Sequence, residues 1–118
     1  MKPVLFGLFS LILVGIPGRA SAQYVNGSKL YIDCKSFLEA HTRSEMSPTQ
    51  PIDAVFCTGY VEGTVDAQNG VAYNVPNGVL LRQLVDIIYK YLMDHPEERE
   101  LAAASLILRA MVTTYGKK

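Results

Sequence analysis

Apolar residues along the chain recur at the spacing of an α-helix in four stretches, and no stretch alternates convincingly as a strand would. The first two predicted helices cover about Ser28–Arg43 and Ile52–Ala67, on either side of a polar turn that contains two prolines. The other two cover about Asn77–Asp94 and Pro96–Tyr115. The pattern predicts an all-α fold, a small bundle of four to five helices.

The starts of the last two helices are predicted from capping signals. Asn77 is expected to cap the third helix. Asp94 is expected to cap the fourth, with Pro96 at an early helical position and Glu97 completing a capping box. The fourth helix is expected to turn one stripe toward the core: Leu101, Ala104, Leu108, Met111 and Tyr115.

Two glycines, Gly59 and Gly63, lie one turn apart in the second predicted helix. Each costs a helix about 1 kcal/mol relative to alanine, so packing has to offset the cost. A close crossing with a neighbouring helix is therefore expected, and the alternative is that the glycines merely weaken a short helix. Their stripe comprises Ile52, Val55, Phe56, Gly59, Tyr60 and Gly63.

The first 22 residues have the features of a secretory signal peptide. Lys2 precedes an apolar run, and Ala20-Ser21-Ala22 has the small-x-small pattern of a cleavage site. A transmembrane anchor is the alternative, but an apolar run of about 13 residues is too short to span a bilayer. Cleavage between Ala22 and Gln23 is expected to leave a single domain, residues 23–118, that is not attached to a membrane.

The only two cysteines, Cys34 and Cys57, both lie in this domain. An even number in a small exported domain predicts a disulfide, and two free buried thiols are the alternative. A bridge closes a loop of about 24 residues and adds about 3 kcal/mol of stability on the chain-entropy model.

Charge and chemistry exclude several function classes. The chain has eleven basic and eleven acidic residues, and loss of Lys2 and Arg19 with the leader leaves nine basic ones and a formal charge of −2. Without a basic patch, nucleic-acid binding is not expected. Glu62 and Asp66 lie four residues apart, but such a pair is typical of a solvated helix face rather than of acid–base catalysis. No enzyme activity, catalytic residue, metal or cofactor is expected.

Three segments, in order, resemble the Tai/Rap family of periplasmic immunity proteins, which neutralise peptidoglycan amidase effectors of type VI secretion systems. They are FCTGYVEGTVD (56–66), QLVDIIYKYLMDHPEE (83–98) and LAAASLILRAM (101–111). The resemblance spans about Cys34–Tyr115. It implies an all-helical fold, often a homodimer, that inhibits the amidase by occupying its cleft without catalysis of its own. It also implies a structural role for the cysteines and for Gly59, Tyr60, Gly63, Asp66, His95 and Pro96.

One departure from the family is informative. Members commonly have two further cysteines, one in a Cys-x-Pro before the third helix and one after the last helix. This chain has Asn74-Val75-Pro76 and TYGKK at these places, so the bridge implied to remain is Cys34–Cys57. The loss puts in doubt the rigidity of residues 68–78 and of the C-terminus.

Residues 68–78, QNGVAYNVPNG, are the favoured partner-binding segment, ahead of Arg43–Pro51. Two Asn-Gly pairs and a proline predict an ordered loop, with a β-hairpin as the alternative. Tyr73 is expected to be the interface hot spot, and the other candidate contacts are uncharged: Asn69, Asn74 and Asn77. The alternative is a solvated connector whose Tyr73 packs onto the bundle.

A second function fits the same general features. Periplasmic acid-stress chaperones of the HdeA kind are also small, exported and helical with one bridge. The stretch DCKSFLEA resembles their early Cys-x-x-Phe-Leu segment. The His-Pro-Glu segment and the alanine-rich helix favour the immunity family.

Overall fold

The computed structural model describes residues 24–42 and 51–118. The predicted signal peptide, its cleavage site and most of the Arg43–Pro51 segment lie outside the described residues. Within them the regular elements are helical: α1 Gly27–Thr42, α2 Ile52–Gln68, α3 Leu81–Asp94 and α4 Ala103–Tyr115, with a short 3-10 helix, Pro96–Glu98, before α4. The all-α prediction is confirmed.

A disulfide joins α1 to α2. Cys34 and Cys57 are fully buried, with their Cα atoms 5.0 Å apart, and the sulfurs are bonded. The predicted bridge is therefore confirmed. Around it the four helices enclose one apolar core, whose largest fully buried side chains are Tyr73, Leu30, Ile88, Leu92, Leu106, Ile107 and Met111.

The third helix begins later than predicted. Asn77 is exposed and lies outside α3, so its assignment as the cap is wrong. Leu80 is the residue before the first helical turn, and its backbone N–H donates to Oε1 of Gln83 at 2.7 Å. The Gln83 side chain therefore pairs the N–H of the residue before the helix, which is a different role from the cap that Asn77 was expected to supply to the first-turn N–H groups.

The fourth helix also begins later, at Ala103, because residues 96–102 form the 3-10 helix and a turn. Asp94 is the last residue of α3 and pairs with Lys90 at 2.6 Å, so its predicted role as a cap, completed by Glu97, is wrong. Of the predicted inward stripe, Leu101 and Ala104 are exposed, Leu108 and Tyr115 are half-buried against the core, and Met111 is buried as predicted. The inward side of α4 consists of Ala103, Leu106, Ile107, Ala110 and Met111.

The predicted crossing at Gly59 and Gly63 is wrong. Both glycines are exposed, and a Cβ added to either would meet no heavy atom of residues 24–42 or 51–118 within 4 Å. The disulfide sets the phase of the helix, because Cys57 has to face α1 and carries the residues on its own stripe inward. The buried side of α2 is Ala54, Cys57, Val61 and Val65.

A close approach does occur, at a different glycine. Gly27, the first residue of α1, donates its backbone N–H to the Leu101 carbonyl at 3.0 Å. A Cβ on Gly27 would lie 2.9 Å from both the Cα and the carbonyl oxygen of Arg99, and would also clash with Cδ1 of Leu106. The start of α1 therefore lies directly on the turn before α4.

Alanine substitution should separate these two kinds of glycine. We expect Gly27→Ala to lower the free energy of unfolding by about 1–3 kcal/mol, because backbone atoms have to move to admit the methyl group. Gly59→Ala is the matched control and should raise it by up to about 1 kcal/mol, because the methyl group meets nothing and helix propensity improves. Urea denaturation of both variants measures the difference, and a Gly27→Ala protein as stable as Gly59→Ala would contradict the close approach.

Candidate partner-binding site

The loop Asn69–Leu80, which joins α2 to α3, is ordered by its own hydrogen bonds. Oδ1 of Asn69 accepts the Val75 N–H at 3.0 Å, and the Gly70 N–H donates to the Tyr73 carbonyl at 2.8 Å. Both Asn-Gly pairs place their glycine at positive φ, +85° at Gly70 and +87° at Gly78. Other residues rarely adopt this conformation. The predicted ordered loop is confirmed, and it contains isolated bridges in place of a hairpin.

Tyr73 is part of this loop, but its side chain lies in the core and is fully buried. Its hydroxyl donates to the carbonyl of Val65 in α2 at 3.0 Å. Burial raises the pKa of Tyr73, and the nearby Asp66 carboxylate raises it further. The prediction of Tyr73 as an interface hot spot is wrong, because the ring is buried in the core and a partner cannot contact it. The alternative, in which Tyr73 packs onto the bundle, is correct.

The loop is also joined to the C-terminal end of α4. The Asn74 N–H donates to the Tyr115 carbonyl at 3.2 Å, and Nζ of Lys117 donates to the Gly70 carbonyl at 2.9 Å. Tyr73 and Gly116 form an isolated antiparallel bridge. These contacts lie where the resemblance implies a second disulfide in other family members. Hydrogen bonds and a buried ring therefore connect the loop to the C-terminus in this chain.

The outward side of the loop combines apolar and amide groups. Val71 is 70% exposed and Leu80 is 66% exposed. Asn69, Asn74 and Asn77 are exposed as well, although Asn69 uses its carbonyl oxygen within the loop. Val71 and Leu80 were missed as candidates. The sequence could have identified them, since each is a large apolar residue in a segment rich in turn formers, where such a residue is often exposed.

The His-Pro-Glu segment forms a structural corner between α3 and α4. The Tyr91 hydroxyl donates to one Glu98 carboxylate oxygen at 2.7 Å, and Arg109 pairs with the other at 3.1 Å. These contacts, the Tyr91 hydrogen bond foremost, hold the pKa of Glu98 below its usual value. His95 stacks on Tyr91 with ring centroids 4.1 Å apart, and Pro96 opens the 3-10 helix. The corner joins elements of the fold.

The remaining predicted motif residues lie on α2. The Tyr60 ring stacks on Phe56 at 5.8 Å, and burial raises the pKa of Tyr60. Glu62 and Asp66 are both exposed, as expected of a solvated helix face. Across residues 24–42 and 51–118 no cluster of metal-ligating side chains occurs. No helix in this part of the chain is long and apolar enough to cross a membrane.

Comparison with protein families identifies the family of the chain. A family model described as Rap1a immunity proteins matches residues 26–116. A search of curated proteins gives no match. The matched region includes all four α-helices, the disulfide and the loop Asn69–Leu80, and it covers most of the chain. The chain therefore belongs to the Rap1a immunity protein family.

Proposed function

We propose that this protein is a periplasmic immunity protein that binds a peptidoglycan amidase effector of a type VI secretion system and inhibits it by occluding the active-site cleft. Family membership supports an immunity role and binding of a partner effector. The amidase target rests on the sequence resemblance described above. The structural observation that supports occlusion is the loop Asn69–Leu80, which is held by the core and the C-terminal residues and exposes apolar and amide groups on its outer side.

The anchoring makes the loop suited to enter a cleft. Tyr73 and the hydrogen bonds to the C-terminal residues order the backbone before any partner arrives. A loop that is already ordered loses less conformational entropy on binding, so more of the contact energy becomes affinity. Val71 and Leu80 then supply apolar area, and the exposed asparagine amides supply hydrogen bonds without the desolvation cost of a charge.

Occlusion requires no chemistry from the inhibitor, so we propose that the protein is not an enzyme. We further propose export to the periplasm through cleavage after Ala22 and assembly as a homodimer. The disulfide supports export, because such bridges persist in oxidising compartments. The family match favours this function over an acid-stress chaperone.

The test uses the product of the gene next to this protein's gene, in a peptidoglycan hydrolysis assay that also shows whether this product is an amidase. We expect the Val71→Ser/Leu80→Ser variant to lose at least tenfold in affinity, or about 1.4 kcal/mol, and to inhibit correspondingly less. Serine at position 80 is also a preferred helix N-cap, so loss of folding is not expected to explain the result.

Met93→Ser is the matched control, because Met93 is 49% exposed at the opposite end of α3. It should bind and inhibit like the wild type. Circular dichroism and thermal melting confirm that each variant is folded. If the loop variant inhibits as well as Met93→Ser does, the loop does not enter the cleft. If the wild-type protein neither binds nor inhibits this amidase, the proposed target is wrong.

A further inference from the structure

Helix α2 has an apolar outer face as well as an apolar inner one. A surface helix normally presents polar residues to water on the side away from the core. On α2, however, Ile52 is 85% exposed and Val55 is 53% exposed. We define the outer face of α2 as Ile52, Val55, Gly59, Gly63 and Ala67, all of which are exposed and lie along one side of the helix. The exposed carboxylate of Asp66 lies on the same side, so the face is apolar with an acidic group within it.

The shape of this face suits a close neighbour. Gly59 and Gly63 carry no side chain, and no atom of the described part of the chain occupies the space where side chains would stand. The apolar side chains of Ile52 and Val55 border this stretch at one end. The two glycines destabilise the helix, and no packing contact within the described residues offsets this loss of stability.

Charge indicates what kind of neighbour fits. α2 has no lysine or arginine, and Asp53, Glu62 and Asp66 are exposed along it. Among the described residues, no ion pair involves any of these three carboxylates. The cation found beside the helix, Lys29 over the Phe56 ring, already pairs with Asp33. A second copy of α2 would bring carboxylates toward carboxylates, so the face fits a cationic partner better.

Position and area connect this face to the loop. The loop Asn69–Leu80 follows α2 directly, so Asp66 and Ala67 lie within a few residues of Val71 along the chain. A stable complex buries about 800 Å² on each partner, more than a short loop supplies. A helix of 17 residues is about 25 Å long and extends the loop surface to that scale.

We propose that the outer face of α2 is the second part of the effector-binding surface, where it receives an apolar ridge of the amidase flanked by lysine or arginine side chains. The inference rests on the proposed function. The loop enters the cleft, and α2 lies along the rim.

The test places side chains at the two glycine positions of the outer face. In the Gly59→Leu/Gly63→Leu variant, two side chains would occupy the space that the partner needs. We expect affinity for the effector of the first test, the neighbouring gene's product, to fall at least tenfold, while the melting temperature stays the same or rises. Ser105→Leu, which enlarges an exposed position on α4, is the control and should bind like the wild type.

A charge variant tests the cationic partner separately. Glu62→Gln/Asp66→Asn should slow association by about three- to tenfold at low salt and weaken the dependence of the rate on salt, because exposed charges act mainly on encounter. An association rate with unchanged salt dependence would overturn the charge complementarity. Stopped-flow mixing at two ionic strengths measures it.

The outcomes separate the inference from the function on which it rests. If the wild type binds and the leucine variant binds equally well, the α2 face is not part of the interface. A lower melting temperature for the leucine variant would show that the chain covers its own face, which also overturns the proposal. A change in oligomeric state with unchanged amidase affinity would assign the face to a second copy. If the wild type does not bind, the proposed function fails and this inference fails with it.

Discussion

Tyr73→Ala should lower the free energy of unfolding by about 3–5 kcal/mol, the largest effect expected of any single substitution in the loop. The ring is fully buried among core side chains, and alanine would leave a cavity that helices joined by a disulfide cannot readily close. The substitution also removes the side-chain link between the loop and α2. Urea denaturation followed by circular dichroism measures the loss.

Two control substitutions divide this effect into packing and hydrogen bonding. Tyr73→Phe keeps the ring and should cost only about 1 kcal/mol, because the Val65 carbonyl still accepts the Asn69 N–H at 2.9 Å. Asn77→Ala alters an exposed residue of the same loop and should change stability by about 0.5 kcal/mol or less. A Tyr73→Ala protein as stable as Asn77→Ala would mean that Tyr73 is not part of the core.

Removal of the disulfide should have the next largest effect. Cys34→Ala/Cys57→Ala should lower the free energy of unfolding by about 3 kcal/mol, because the unfolded chain regains the entropy that the bridge removes. The double substitution leaves no unpaired thiol to complicate the measurement.

The wild-type protein is its own control. In the presence of a reductant its denaturation curve should move toward that of the double variant, whereas the variant's curve should not move. Native protein purified without a reductant should have no thiol that reacts with a thiol reagent. Two reactive thiols under these conditions would contradict the bridge.

The element types and the start of α2 were predictable because local signals determine them. Periodic apolar residues marked all four helices, and α2 begins at Ile52 as predicted, directly after Pro51. The starts of α3 and α4 were not predictable in the same way. Several nearby residues could serve as caps, and the choice between Asn77 and the pair Leu80–Gln83 depends on where the loop before α3 is held.

The buried side of α2 could have been predicted from the disulfide. Once Cys57 is taken to reach Cys34, its stripe through Val61 and Val65 has to face inward. Gly59 and Gly63 then have to face outward. Periodicity instead predicted that the stripe with the two glycines faces the core. Both sides of α2 contain apolar residues, so periodicity alone does not show which side is buried.

The close approach at Gly27 and the burial of Tyr73 were beyond local reasoning. Gly27 needs to be small because of Arg99, which is distant in sequence. Tyr73 lies in a polar segment of the kind that usually faces water, and it is the contact with Val65 across the turn that places the ring inside. Both features depend on how the helices are assembled, which no short window of sequence contains.

In the loop Asn69–Leu80, the groups that anchor the loop to the fold differ from the side chains that the loop exposes to solvent. Tyr73 points inward and the hydrogen bonds to the C-terminal end involve backbone groups of the loop, while Val71, Asn77 and Leu80 point outward. Mutations at the outward positions can therefore accumulate with little effect on folding. In the function that we propose, the recognition surface can therefore change as the toxin changes, one substitution at a time, without an intermediate that fails to fold.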